Sequence, residues 1–421
     1  MYQSNGRFNG RRNFNNNFSK RNGFKQRIDE NLYVKAAEKV LKIEETETKN
    51  LFEDFGFQPQ LLTNIKDKGY KKPTPIQDQI IGAVMEGRDV LGIADTGTGK
   101  TAAFALPIIN ELITNPHKRI IILAPTRELA TQIKQEFRSF TPGLKVYIAL
   151  AIGGAFIREQ IVDIRRGAQI IIGTPGRIKD LGQRRVIDFG KFNKVVLDEV
   201  DRMLDMGFVD EIREIMDQIP QPRQTLFFSA TVNNKVGGLI ETLLNNPVKV
   251  SLESRVASNH VEQNVVRCKR ESKEQMLLEI LNSTEVKKVL IFGETKALVE
   301  QLSTKLFNSG LKADSIHGDK PQNKRTRVLR AFKENQINIL VATDVAARGL
   351  DISDITHVIN YTVPNNYDDY IHRIGRTGRG DAMGYALTFI EEREFRAPPT
   401  QGRPGFGRFS RNTGGWSRRG R

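Results

Sequence analysis

Three clusters of residues in this chain have types and spacings that suggest chemistry. The first is "ADTGTGKT", residues 94–101. Gly97 and Gly99 let the backbone curl with its amides turned inward, so that Ala94, Asp95, Thr96, Gly97, Thr98 and Gly99 form a cradle for phosphates. Lys100 then reaches the β- and γ-phosphates, and Thr101 offers its hydroxyl to Mg²⁺. The strict pattern has Gly where this chain has Ala94. The second cluster is "DEVD", where Asp198, Glu199 and Asp201 follow the apolar run Val195–Leu197. Like charges at the end of a buried strand require a positive partner, and Mg²⁺ on a triphosphate provides one. Asp198 is then the ion's ligand, directly or through water, and Glu199 orients or deprotonates the attacking water. Asp201 reads as a hydrogen-bond partner to a neighbouring motif. Alone, the acidic quartet would be an ordinary helix start. The third cluster, "HRIGRTGRG", packs His372, Arg373, Arg376 and Arg379 together, which is self-repelling unless the group meets phosphate.

Something must hold these clusters in place. Short apolar runs bounded by Gly, Pro or polar turns alternate with helix-length segments. In the first half they are Val90–Ile93, Ile120–Ala124, Val146–Leu150, Gln169–Ile172, Lys194–Leu197 and Thr225–Phe228. In the second half they are Val289–Phe292, Asp314–Ile316, Ile337–Ala342, His357–Tyr361 and Tyr385–Ile390. That alternation predicts α/β architecture with mostly parallel sheets. The polar stretch around residues 251–260 reads as a linker, which gives two domains with a cleft between them.

Composition sets further bounds. Fourteen of the sixteen net positive charges lie in residues 1–27 and 396–421, which contain no acidic residue. Both stretches are Gly/Asn/Arg-rich with scattered aromatics and too few aliphatics to offset ordering entropy, so disordered basic tails are expected. No run approaches the length of a membrane span, and the N-terminus lacks the apolar core of a secretory signal. The single cysteine, Cys268, rules out an internal disulfide and fits a reducing, cytoplasmic location.

The motifs also occur in a recognisable order: "ADTGTGKT", "APTRELA", Gly153–Gly154, "TPGR", "DEVD", "SAT", "HGD", "ATDVAARGLDI" and "HRIGRTGRG". Over about residues 50–392 the chain resembles the DEAD-box ATP-dependent RNA helicases. The resemblance implies two tandem RecA-like parallel-sheet domains, at 49–250 and 261–395, joined by a linker at 251–260. Residues 1–48 are a basic tail and charged lead-in, and 396–421 a basic tail. ATP and Mg²⁺ are the implied cofactors and RNA the implied partner.

For individual residues, the resemblance gives Gln77 to the adenine edge, which suits an amide that both donates and accepts, and Phe52 to stacking on the base. Pro125, Arg127, Gly154, Thr174 and Arg177 grip the RNA backbone, joined from the second domain by Arg325, Gln322 and Thr343. Such contacts carry no base identity. Asp351 lies near the nucleotide sugar, and Arg348 faces either ligand. Ser229 and Thr231 hydrogen-bond the "DEVD" carboxylates, and together with Asp201 and His372 couple the domains. Arg376 and Arg379 reach across the cleft to the γ-phosphate.

The resulting mechanism is RNA-stimulated ATP hydrolysis with local, non-processive unwinding of short duplexes or ribonucleoprotein remodelling by a monomeric core. Degradosome and ribosome-assembly proteins are compatible partners. An ATP-gated RNA clamp would keep every motif, whereas "PTRELA", "TPGR" and "GRTGRG" argue against a DNA substrate. The main departure follows the last strand. The family continues with further helix there, but "EEREFRAPPTQGRP" soon reaches prolines, which implies a clipped end to the second domain.

Overall fold

The computed structural model describes residues 30–36, 48–94, 97–252, 260–283, 286–347, 352, 354–378 and 382–392. Asp95, Thr96, Arg348, Asp351, Arg379, the basic stretches 1–27 and 396–421, and the expected clipped end beyond residue 392 lie outside the described residues.

Thirteen strands are found among the described residues. They are β1 (Val90–Ile93), β2 (Ile120–Leu123), β3 (Ile148–Ala151), β4 (Ile170–Gly173), β5 (Lys194–Leu197), β6 (Gln224–Ser229), β7 (Val248–Ser251), β8 (Val261–Cys268), β9 (Val289–Phe292), β10 (Ala313–Ile316), β11 (Ile339–Ala342), β12 (His357–Asn360) and β13 (Gly384–Glu391). They form two sheets, ordered β3-β4-β2-β5-β6-β1-β7 and β10-β11-β9-β12-β13-β8. Every pairing within both sheets is parallel.

The strand sequences explain this arrangement. β2 reads "IIIL" and is buried throughout. Ile120 and Ile122 join the core on one face of the sheet, while Ile121 and Leu123 join the core on the other. The second sheet does the same, with Val289 and Ile291 on one side of β9 and Leu290 and Phe292 on the other. A strand buried on both faces has no polar alternation, as expected where helices cover both sides of a parallel sheet. Packing is tight enough to dictate a glycine inside β1. A Cβ at Gly92 would lie 2.7 Å from the Phe228 ring. That ring is 5.3 Å from Phe104, on the helix Lys100–Thr114. Truncating so buried a phenylalanine typically costs about 3–5 kcal/mol.

Helices start where strands release the chain. Thr126, Asn233, Thr295 and Asn366 each accept a hydrogen bond from a backbone amide in the first turn, each cap contributing about 1 kcal/mol. The candidate chemistry therefore collects at the carboxyl ends of the strands, where ligands bind in open parallel sheets. Among the described residues, no helix is long and apolar enough to cross a membrane.

Two strands differ from the sequence expectation. β7 pairs with β1, and β8 forms an eight-residue edge beside β13. Residues 30–36, in the charged lead-in, pack on the second sheet: Tyr33 is buried and Lys35 pairs with Gln263 of β8.

Candidate nucleotide and nucleic-acid site

The phosphate loop follows β1. Gly97 and Gly99 adopt φ of 92° and 96°, a left-handed backbone that L side chains rarely take. A Cβ at Gly99 would also lie 2.5 Å from Gln77 Nε2 and 2.8 Å from Thr74 Oγ1. Those neighbours brace the loop. Gln77 Nε2 donates to the Gly99 carbonyl at 3.1 Å, and Thr74 Oγ1 donates to the Thr98 carbonyl at 2.9 Å. Gln77 Oε1 accepts from Thr74 N at 2.9 Å, in the capping-box arrangement that "TPIQ" encodes. The predicted base-reading amide thus already ties the helix Pro75–Met85 to the loop, with one N–H and one lone pair beyond those bonds. Phe52 lies in the core. It is 2% exposed and packs its ring 6.1 Å from Tyr70 in the first-domain core, so neither ring face is open to a base.

Lys100 is buried, and its Nζ donates to the Ala94 carbonyl at 2.6 Å. It bends over the loop where a phosphate oxygen would draw it. Thr101 is half-buried beside it. Asp198 is buried immediately after β5, and among the described residues its Oδ1 has no hydrogen-bond partner. Burial pushes its pKa up to about 7; Lys100 opposes the rise, and Glu199 and Asp201 add to it. A buried carboxylate oxygen left without a donor among the described residues, with Lys100 acting on its charge, fits a hard divalent cation carried on phosphates.

Glu199 has φ 52° and ψ 54°, a conformation that costs a non-glycine residue on the order of 1 kcal/mol. Burial works against its charge, but Arg202, Lys100, Arg376 and His372 outweigh it and hold the carboxyl below its usual pKa. Arg202 Nη1 donates to Glu199 Oε2 at 3.0 Å. Sequence reasoning missed that pair, although its i, i+3 spacing was a signal. Arg376 and His372 belong to the second sheet's domain, so charges from both domains act on one carboxylate.

Asp201 is held as expected. Its Oδ2 accepts from Ala230 N, Thr231 N and Thr231 Oγ1 at 3.1–3.2 Å. Ser229 corrects the expectation, because its hydroxyl donates to the Thr231 carbonyl at 2.7 Å rather than to a carboxylate. It shapes the turn that presents Thr231.

Three loops of the predicted RNA face converge on one another. Pro125 and Thr126 follow β2, and Arg127 opens the next helix. Its guanidinium lies against the loop after β3, where a Cβ on Gly154 (φ 74°) would fall 2.1 Å from Arg127 Nη1. Thr174 precedes the helix Pro175–Gln183, in which Arg177 Nη1 donates to Gln160 Oε1 at 3.0 Å. Burial lowers the Arg177 pKa, Asp180 opposes that, and Arg127 adds to it. Thr343 ends β11 in the second domain and accepts from Ala346 N and Ala347 N through its carbonyl.

Arg325 is placed differently from the expectation. It forms a buried ion pair with Glu128 at 2.7 Å, and Gln322 Nε2 donates to the other Glu128 oxygen at 3.4 Å. Its charge therefore joins the two domains instead of facing an open surface. Nothing local in the sequence marked Glu128 as the partner. Arg373, which could pass for a surface cation, is 3% exposed and forks onto Asp344 while donating to Asn360 Oδ1 and the Thr362 carbonyl. It lines a small cavity with Phe292, Asp344, His372 and Arg376.

Comparison with known proteins agrees with this geometry. The DEAD/DEAH box helicase model matches residues 74–238, and the helicase conserved C-terminal domain model matches residues 272–381. The ATP-dependent RNA helicase CshA of Limosilactobacillus reuteri is 43% identical over 345 residues, spanning 82% of this chain and 69% of that protein. The chain belongs to the DEAD-box ATP-dependent RNA helicases. The helicase is accordingly an ATP-hydrolysing enzyme with two RecA-like domains. Its fold is similar to S. cerevisiae Dbp5 bound to RNA and ADP BeF3, with a TM-score of 0.73, 30% identity and coverage of 82% of this chain and 90% of that one. It is similarly close to Mss116p bound to ssRNA and AMP-PNP, with a TM-score of 0.74, 30% identity and coverage of 85% and 77%.

Proposed function

We propose that this helicase couples ATP hydrolysis to local, non-processive separation of short RNA duplexes or to remodelling of ribonucleoproteins. Its working domains are residues 49–250 and 261–395, and its place is the reducing cytoplasm that a lone cysteine suits. The reading is supported by the buried Arg325–Glu128 ion pair that joins the two domains at 2.7 Å, and by the charges from both domains, Arg202 and Lys100 from one and Arg376 and His372 from the other, that hold the Glu199 carboxyl below its usual pKa. Charges so placed act on phosphates only while the domains are together.

In this mechanism Lys100 leaves the Ala94 carbonyl for the β- and γ-phosphates of ATP, and the loop amides hold the remaining oxygens. Asp198 and Thr101 would hold Mg²⁺, which neutralises charge on the phosphates when bound. Glu199 orients the attacking water and accepts its proton. The water oxygen bonds to the γ-phosphorus as the bond to the leaving ADP oxygen breaks. Arg376, with Arg379, stabilises the charge that develops there. Asp201 and Thr231 tie the "DEVD" turn to the turn after β6, so that it registers domain closure.

RNA lies over Arg127, Gly154 and Arg177 on one domain and Thr343 on the other. Its backbone bends where the domains meet, which continuous A-form duplex cannot follow. Glu128 and Arg325 add attraction that is realised only on closure. Gln77 reads adenine through its uncommitted donor and acceptor.

The deciding experiment is strand displacement on RNA and DNA duplexes of equal length, with ATP and with a non-hydrolysable analogue. Displacement of RNA alone, dependent on RNA-stimulated hydrolysis, is expected. Binding without displacement would make the protein a clamp, and displacement of DNA would overturn the substrate. Lys100→Ala should abolish turnover while leaving RNA binding without nucleotide intact.

A further inference from the structure

The helix Tyr367–Ile374 leads directly to Arg376, so whatever fixes that helix aims the arginine. On one side the Arg373 network holds it. On the other side it meets residues 30–36, a segment that none of the catalytic motifs includes. Leu32 and Val34 are 47% and 57% exposed, but Tyr33 between them is 1% exposed. The Tyr33 ring lies 4.7 Å from Tyr370 at an interplanar angle of 70°, an edge-to-face contact of the kind aromatic pairs favour. It closes a small apolar cluster with Val261, Ile374 and Ala386.

The main chain is fastened as well. Lys35 N donates to the Gln263 carbonyl at 3.1 Å, and Gln263 N donates to the Lys35 carbonyl at 2.9 Å. These bonds fall on β8, the edge of the second sheet, whose backbone groups would otherwise face outward. Gln263 is itself joined to the helix, because its Oε1 accepts from Tyr370 Oη at 2.9 Å. Segment, edge strand and helix thus form one connected unit.

We propose that residues 30–36 are a clasp that sets the pose of the arginine-bearing helix, with Tyr33 a positioning residue for ATP hydrolysis. The inference rests on the reading that Arg376 acts on the phosphates. Removing the Tyr33 ring leaves a void under Tyr370 and a helix held from the Arg373 side only. Among the described residues Tyr33 Oη has no hydrogen-bond partner, so the ring rather than the hydroxyl does the positioning. Phenylalanine should therefore replace it without loss.

The test uses the full-length protein and compares Tyr33→Ala, Tyr33→Phe, Arg376→Ala and the double variant Tyr33→Ala/Arg376→Ala. RNA-stimulated kcat, the KM for ATP and RNA affinity without nucleotide are measured for each. Tyr33→Ala should lower kcat roughly tenfold, as a misplaced catalytic group does, with KM and RNA affinity unchanged. Tyr33→Phe should match the wild type. In the Arg376→Ala background the tyrosine truncation should have no further effect on kcat, since both act through one group. Lys35→Pro, which deletes the amide donor without disturbing the cluster, should lower kcat in the same direction and serves if Tyr33→Ala fails to fold. Wild-type kcat in Tyr33→Ala, or additive losses in the double variant, would overturn the clasp. Wild-type kcat in Arg376→Ala would instead overturn the reading beneath it.

Discussion

Replacing Asp198 with asparagine should stabilise the nucleotide-free protein while destroying its activity. The carboxylate is buried, its Oδ1 lacks a donor among the described residues, and its pKa is pushed from 3.8 up to about 7. An acid whose folded pKa exceeds its unfolded value makes the native state bind more protons between those two values. Stability therefore falls as pH rises from about 4 to about 7 and is flat above that. Each pH unit across the gap removes about 1.4 kcal/mol, which sets a ceiling of about 4 kcal/mol. Adjustment of the site around Lys100 recovers part of that penalty in the wild type, leaving about 2 kcal/mol for the substitution to relieve at pH 8. For a domain of this size that is a rise in Tm of roughly 4–8 °C. The assay is thermal unfolding of wild type and Asp198→Asn between pH 4.5 and 8 with a chelator and no nucleotide, alongside ATP turnover. The gap between the two proteins should widen up to about pH 7 and then level off, and turnover by the variant should be lost. A gap independent of pH, or a variant less stable than wild type at pH 8, would refute the argument that burial is what raises this acid.

Other outcomes follow from the same geometry. Arg325→Met strands Glu128 in the domain interface, where breaking a buried pair costs about 3–5 kcal/mol. Domain closure monitored by energy transfer should weaken sharply, while nucleotide-free melting of the first domain changes little. Gly154→Ala places a Cβ within 2.1 Å of Arg127 Nη1 at a φ of 74°. The displaced guanidinium should weaken RNA binding about tenfold in filter assays, with ATP affinity unaltered. Removing residues 1–27 and 396–421 deletes fourteen cationic side chains, which should lower RNA affinity and flatten its salt dependence in titrations. An unchanged slope would mean that the tails do not bind RNA.

The sequence was most legible where chemistry and periodicity agreed. β1, β5 and β9 coincide with the expected runs, because a strand buried on both faces reads as a short, largely apolar block. β7 and β8 were not legible, because edge strands bury only one face. The "VKVS" of β7 and "VEQNVVRC" of β8 look like polar connection until their partners are known. Tyr33 was hidden for a related reason, since one aromatic among exposed neighbours has no period. Placement was legible where a motif fixes a residue locally, as with Lys100 just past the loop after β1 and Asp198 and Asp201 after β5. Contacts that depend on a partner far along the chain, as with Arg325 and Glu128, or on burial, as with Phe52, leave no local signal in the sequence. It also cannot say which of two neighbouring oxygens a hydroxyl will choose, which is why Ser229 was sent to the wrong acceptor.

Arg127 and Glu128 are consecutive residues on the first turn of one helix, yet they face different clients. The arginine leans on the glycine loop after β3, and the glutamate is anchored by Arg325 of the other domain. A tug on either side chain is transmitted through a single peptide plane to the other. In the proposed mechanism, grip on a strand and engagement of the far domain therefore meet at this one turn.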